Sequence, residues 1–247
     1  MISSRKVFTL LLSSLLMIIS FLTSAQSDKE AQSIINKSIK VHGGKKVANG
    51  HFSFDFRKHH YTYKRNNGEF EYSRTNKETG IKDILTNGGL VRIEDGRKVE
   101  LSEKQKRSYS RSVNSVHYFA FLPYFLNDNA VNKEFIGETQ IKGKDYYKIK
   151  VTFDQEGGGD DYDDVYIYWF DQEDYTLDYL AYSFHVDGGG VRFREAYNTR
   201  KVNGVIFQDY INYKHDKETP VEKLDSFYEN SKLTELSRIE LLNVKSL

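Results

Sequence analysis

The sequence predicts a mainly antiparallel β protein of the α+β class. Three observations carry that reading. Dipeptides suited to two-residue hairpins recur at Asn67-Gly68, Asn87-Gly88, Asp95-Gly96 and Asn203-Gly204, where both residues can take positive φ. The runs between such turns are short and rich in aromatic and β-branched residues, which favour strands. A single clean amphipathic helix opens the polar part of the chain, and no alternation of strand and helix points to a parallel sheet.

Taken in order, residues 1–25 read as a signal peptide. Arg5 and Lys6 precede an uncharged run from Val7 to Leu22, and Thr23-Ser24-Ala25 places small residues at a cleavage position. The run is interrupted by Thr9, Ser13, Ser14 and Ser20 and falls short of the roughly 20 apolar residues of a membrane span. Cleavage leaves residues 26–247 as one domain, periplasmic or secreted, with no transmembrane segment. Loss of Arg5 and Lys6 moves the formal charge from +1 to −1. So neutral a chain gives no electrostatic case for nucleic acid. The absence of cysteine excludes a disulfide scaffold, thiol catalysis and cysteine-ligated metals.

Ser27-Asp28-Lys29-Glu30 has the form of a capping box. Ala31, Ile34, Ile35 and Ile39 follow at helical spacing, and Gly43 is placed to end the helix in a left-handed turn. Strands are expected near 51–57, where Phe52, Phe54 and Phe56 share a face, and near 61–66, 69–76, 81–86, 90–94, 135–141, 144–153, 164–171, 178–186, 190–197, 205–214 and 235–244. Between them, 103–127 reads as one or two helical segments bent at Pro123. Within it Val116 to Leu126 is apolar or aromatic except for His117 and Pro123. Such a stretch is either fully buried or lines an apolar cavity. Pro220 marks a loop.

Catalytic patterns are missing. No nucleophile elbow, phosphate loop or metal-binding histidine spacing occurs, and structural roles are expected for the histidines. His42, at a helix C-terminus, is placed to favour the negative end of the helix dipole. Asp160, Asp161, Asp163 and Asp164 follow Gly157-Gly158-Gly159; their spacing does not fit the twelve-residue calcium loop, so a solvated hairpin loop is expected and no metal. A trio of His185, Asp187 and Glu195 could be assembled across a hairpin. Trp169 and nearby tyrosines could stack on a ligand, although strand aromatics ordinarily form core.

Several segments together resemble the LolA/LolB lipoprotein-carrier superfamily, and within it a bacterial LolA-like family of unknown function. They are Val41-His42-Gly43-Gly44, Ala120-Phe121-Leu122-Pro123-Tyr124-Phe125-Leu126, Asp178-Tyr179-Leu180-Ala181-Tyr182-Ser183-Phe184 and Gly188-Gly189-Gly190-Val191-Arg192-Phe193-Arg194-Glu195-Ala196-Tyr197. The resemblance implies a strongly curved half-barrel sheet, with the N-terminal helix and the helical insertion covering its concave face. It carries over no catalytic residues and no cofactor. The expected function is non-catalytic binding or carriage of a lipid, acylated peptide or other apolar ligand, with Phe119, Phe121, Leu122, Tyr124, Phe125 and Trp169 as contacts. The alternatives are a hydrolase-type enzyme using a carboxylate and a histidine, and an interaction protein of the cell envelope.

Overall fold

The period-two alternation of the strand-like runs resolves into two antiparallel sheets of seven strands each. The structure, a computed structural model, describes residues 26–157, 162–185 and 188–247. The expected leader at 1–25 and Asp160, Asp161 and Asp187 lie outside them. Helix α1 spans 26–41 and is followed by the short α2 (Gly44–Ala48). Ala31, Ile34 and Ile35 are buried as their spacing requires. Ser27 lies inside α1 rather than at a cap, and its hydroxyl donates to the Phe135 carbonyl at 2.8 Å. Gly43 ends the helix at φ 85°, and a Cβ there would meet the Gly204 carbonyl oxygen at 2.3 Å. Both the left-handed turn and this close approach therefore require glycine.

The first sheet is built from β1 (His51–Phe56), β2 (His59–Asn66), β3 (Glu69–Asn76), β4 (Lys82–Thr86), β5 (Gly89–Glu94) and β6 (Arg97–Val99). Its turns at Asn67-Gly68 and Asp95-Gly96 take positive φ at both residues, whereas at Asn87-Gly88 the left-handed residue is the next one, Gly89. Helix α3 (Glu103–Ala120) then crosses this sheet, capped by a reciprocal Ser102–Gln105 box. A 3₁₀ turn at Tyr124–Asn127 completes the insertion. The second sheet holds β7 (Val131–Ile141), β8 (Lys144–Phe153), β9 (Val165–Asp171), β10 (Leu177–Phe184), β11 (Gly190–Val202) and β12 (Val205–His215). A 3₁₀ turn and α4 (Leu224–Glu229) follow Pro220, where the sequence reads as loop.

The run expected at 235–244 is two strands, not one. β13 (Thr234–Ile239) closes the edge of the second sheet on β12, and β14 (Leu242–Ser246) closes the first on β1. The chain changes sheets at Glu240-Leu241. There the buried Asp209 carboxylate accepts from the Leu241 amide at 2.9 Å and from Arg200 at 3.1 Å, and Arg200 also donates to the Leu241 carbonyl. A change of sheet leaves backbone groups without ladder partners, and this clamp satisfies them.

Pleating assigns the faces. On the inner side α1 packs over Tyr168, Phe170, Leu180 and Tyr210, while α3 packs over Phe52, Phe54, Tyr63 and Tyr72. The outer face of the second sheet is covered by α4 through Leu224 and Tyr228. Both helices expected on the concave side are therefore there, and α4 adds a layer outside. Among the described residues no helix is long and apolar enough to cross a membrane.

Two histidines are core residues. His117 lies between the carbonyls of Val113 (2.8 Å) and Thr62 (2.9 Å), where α3 meets β2, and as a neutral ring it donates to one of them. His42 Nδ1 donates to the Ser38 carbonyl at 2.9 Å, and its Nε2 has no partner among the described residues. Burial outweighs these contacts and pushes both histidines down to about 4. The helix dipole expected to favour a charged His42 thus loses to desolvation. Both imidazoles bind protons more readily in the unfolded chain, near 6.5, than in the folded one. Stability should therefore be complete above about pH 6.5 and fall progressively toward pH 4. Denaturant melts across that range should show the decline, less steeply for His42→Asn. A flat wild-type profile would contradict burial of neutral histidines.

Candidate functional site

The end of α3 and the turn after it lie where the inner faces of the two sheets meet. Their apolar side chains divide between three surroundings. Phe121 turns into the first sheet, stacked on Tyr63 at 3.9 Å between ring centroids. Leu126 belongs to the core over the second sheet. Phe119, Leu122 and Phe125 border an open cleft of about 740 Å³, within the roughly 300–1,000 Å³ of small-ligand pockets.

Strand and helix segments supply the walls. Phe56, Phe70 and Tyr72 come from the first sheet; Phe153, Tyr166, Tyr168, Leu180, Tyr182 and Phe184 come from β8, β9 and β10. Tyr118 and Phe119 of α3 form the cover, and Ile239 and Leu241 lie at the seam between sheets. Several of these aromatics, including Tyr118, Phe119, Phe153, Tyr166 and Tyr182, are only half-buried. Burial raises the pKa of the Tyr118 and Tyr168 phenols, which keeps both protonated.

Five arginines line the same cleft: Arg57, Arg65, Arg111, Arg192 and Arg194. Arg194 donates to the Tyr182 hydroxyl at 2.9 Å and lies over Phe119, 4.5 Å from its ring centroid. Arg65 donates to the Tyr72 hydroxyl at 2.9 Å and lies over Tyr124 and Phe125 at 5.6 and 5.7 Å. Arg192 donates to its neighbour's carbonyl, that of Val191, and lies over Phe184 at 4.8 Å. Among the described residues, the buried Nε groups of Arg65 and Arg194 and the Tyr118 hydroxyl have no partner.

The expected contacts are thus only partly brought together. Phe119, Leu122 and Phe125 border the cleft, whereas Phe121 is core and Tyr124 packs against Arg65 and Phe125. Trp169 lies on the opposite face of β9, buried under α4, with its Nε1 donating to Asp225 at 3.2 Å. Period-two alternation predicts this, since Tyr168 and Phe170 face inward.

The trio of His185, Asp187 and Glu195 is not supported. Glu195 opposes Tyr179 in the hairpin, on the outer side, where it pairs with Lys142 and Tyr213. His185 instead approaches Asp163 at 3.5 Å and Asp164 at 3.7 Å, and the three side chains offer ligand atoms within 4.8 Å of one another. Asp164 is buried while Asp163 and His185 are exposed; the acidic loop is therefore not solvated throughout. A second carboxylate–histidine pair, Asp55 with His60 at 2.7 Å, belongs to the first sheet's face turned away from the cleft.

An open antiparallel half-barrel with helices laid over its concave face is the LolA-superfamily fold. A crystal structure of a LolA superfamily protein from Nitrosomonas europaea superposes with a TM-score of 0.50 at 12% identity, covering 87% of this chain and 92% of that one. A DUF1329 family protein from Desulfovibrio piger superposes with a TM-score of 0.51 at 10% identity, covering 87% and 92%. The chain itself belongs to a family of unknown function, DUF6503, whose profile matches residues 5–241. Nothing among curated proteins matches it.

Proposed function

We propose that residues 26–247 form a non-catalytic periplasmic domain that binds or carries a lipid, acylated peptide or other apolar ligand. The observation that carries this reading is the cleft of about 740 Å³ between the two sheets and α3, walled by half-buried aromatic side chains. A small barrel fills its interior with its own side chains; this half-barrel keeps an aromatic wall only half-buried. The likeness to LolA-superfamily structures supports the same reading through the fold. Phe119, Leu122 and Phe125 are the proposed contacts from the insertion, joined by Tyr166, Tyr182 and Phe184 from the sheet.

Burial of an acyl chain contributes about 0.8 kcal/mol per methylene, against association costs of about 4–15 kcal/mol, so micromolar affinity is expected. The test is displacement of an environment-sensitive fluorescent fatty acid from delipidated protein. Phe119→Asp should weaken probe binding about tenfold or more, since it removes a ring from the wall and sets a competing carboxylate beside Arg194. Lys104→Asp, on the exposed start of α3, should leave it unchanged. A wild type that binds no probe would overturn the reading.

A further inference from the structure

Among the described residues the cleft is lined by five arginines against two carboxylates, Asp128 and Asp164, so positive charge is in excess. Elsewhere in the fold, arginines removed from water are matched by carboxylates: Arg74 and Arg92 by Asp83, and Arg200 by Asp209. Within the cleft the pattern changes. Among the described residues, Arg65, Arg192 and Arg194 have no carboxylate partner; each is held by a neutral oxygen and an aromatic face. Arg192 and Arg194 are two residues apart on β11 and share its inner face, while Val191 and Phe193 between and beside them face α4. Arg65 stands on the wall contributed by the first sheet.

A guanidinium carries five donors and no acceptor. Stacking on rings orients it but satisfies none of them. Arg65 and Arg194 each spend one terminal nitrogen on a tyrosine hydroxyl; their remaining terminal donors can be matched by an oxygen acceptor, and the excess positive charge by an anion. We propose that the ligand of this cleft is an amphiphile whose apolar chain ends in an anionic oxygen headgroup, a carboxylate or a phosphate ester. Its chain lies along the aromatic wall and its headgroup is held by the unpaired arginines, Arg194 foremost. This assignment rests on the carrier reading and adds to it the chemical class of the ligand.

The test compares three probes of one chain length, dodecanoate, dodecyl phosphate and dodecanol, titrated into delipidated protein. Wild type should bind at least one of the two anions about tenfold or more tighter than dodecanol, as charge-assisted hydrogen bonds predict. Whichever anion binds tighter identifies the headgroup as carboxylate or phosphate. Arg194→Gln or Arg65→Gln should remove most of that preference while leaving dodecanol affinity within about twofold, so retained dodecanol binding shows that the variant is folded. Arg107→Gln, on the exposed face of α3, should change nothing. Equal affinity for alcohol and anions, or a preference that survives both arginine substitutions, would overturn the headgroup assignment and leave the carrier reading standing. Failure of all three probes to bind would overturn the carrier reading itself.

Discussion

Phe121→Ala should destabilise the fold by about 3–5 kcal/mol, the usual range for a buried phenylalanine, and lower the melting temperature by roughly 10–15 °C. The residue is 1% exposed. Its ring meets Tyr63 at 3.9 Å, Phe207 at 5.3 Å and Phe52 at 5.8 Å between centroids. Those partners belong to β2, β12 and β1, so one side chain from the insertion joins both sheets to the end of α3. Loss of its ring leaves a cavity that three separate elements would have to move to fill. Thermal melts and probe titrations on the same variant separate the two roles open to Phe121. A variant that keeps its melting temperature but loses probe affinity would make it a wall of the cleft rather than the core.

Asp83→Asn is the second large effect. Asp83 stands between Arg74 and Arg92 on neighbouring strands, with side chains 3%, 13% and 14% exposed. Arg74 also donates to Ser112 of α3, and Arg92 lies 3.6 Å from the centroid of Tyr109 on the same helix. The amide removes the negative charge and strands two guanidinium groups under a helix. Breaking a buried pair in this way costs about 3–5 kcal/mol. The same carboxylate links stability to pH. Burial alone would raise its pKa, but hydrogen bonds from Arg92 and Arg74 overcome that and lower it. Its contribution is therefore complete above the ordinary carboxylate value near 3.9 and lost as pH falls through the lower folded value. Asp83→Asn should be markedly less stable at neutral pH and should lose less than wild type on further acidification. An unfolding midpoint within error of wild type at pH 7 would refute the role.

Much of this architecture is legible in the residues. Gly43, Asn67-Gly68, Asp95-Gly96 and Asn203-Gly204 mark positive φ where the structure has it, because few other residues take that conformation cheaply. Ala31, Ile34 and Ile35 mark the buried stripe of α1. Local rules lose their hold where tertiary contacts decide. Ser27 has the form of a cap, yet a carbonyl 108 residues away takes its hydroxyl. The Ser102–Gln105 box at the start of α3 follows the same rule and was there to be read. The split of 235–244 at Glu240-Leu241 depends on Asp209 and Arg200, which no local pattern connects to it.

The site shows the same division. An apolar stretch announces that 116–126 is buried or lines a cavity, and it does both. Which residues do which depends on where α3 ends, at Ala120, and on the turn that follows. Trp169 follows the alternation of β9, which places it on the face opposite Tyr168. The arginines of the cleft are not legible in the sequence, because Arg192 and Arg194 look like outward strand positions beside an apolar Val191 and Phe193. The sheet is covered on both sides, and α4, hidden behind Pro220, is what claims the apolar pair.

The pairing of β1 with β14 has a consequence for how the chain reaches its native state. Phe52 lies opposite Ser246, so among the described strands the first acquires its outer neighbour from the last. The rest of the first sheet can zip up from hairpins as soon as it is synthesised, but one side of β1 keeps unpaired amides and carbonyls until the final segment arrives. Until β14 pairs with it, that edge of β1 is open to pairing with another chain.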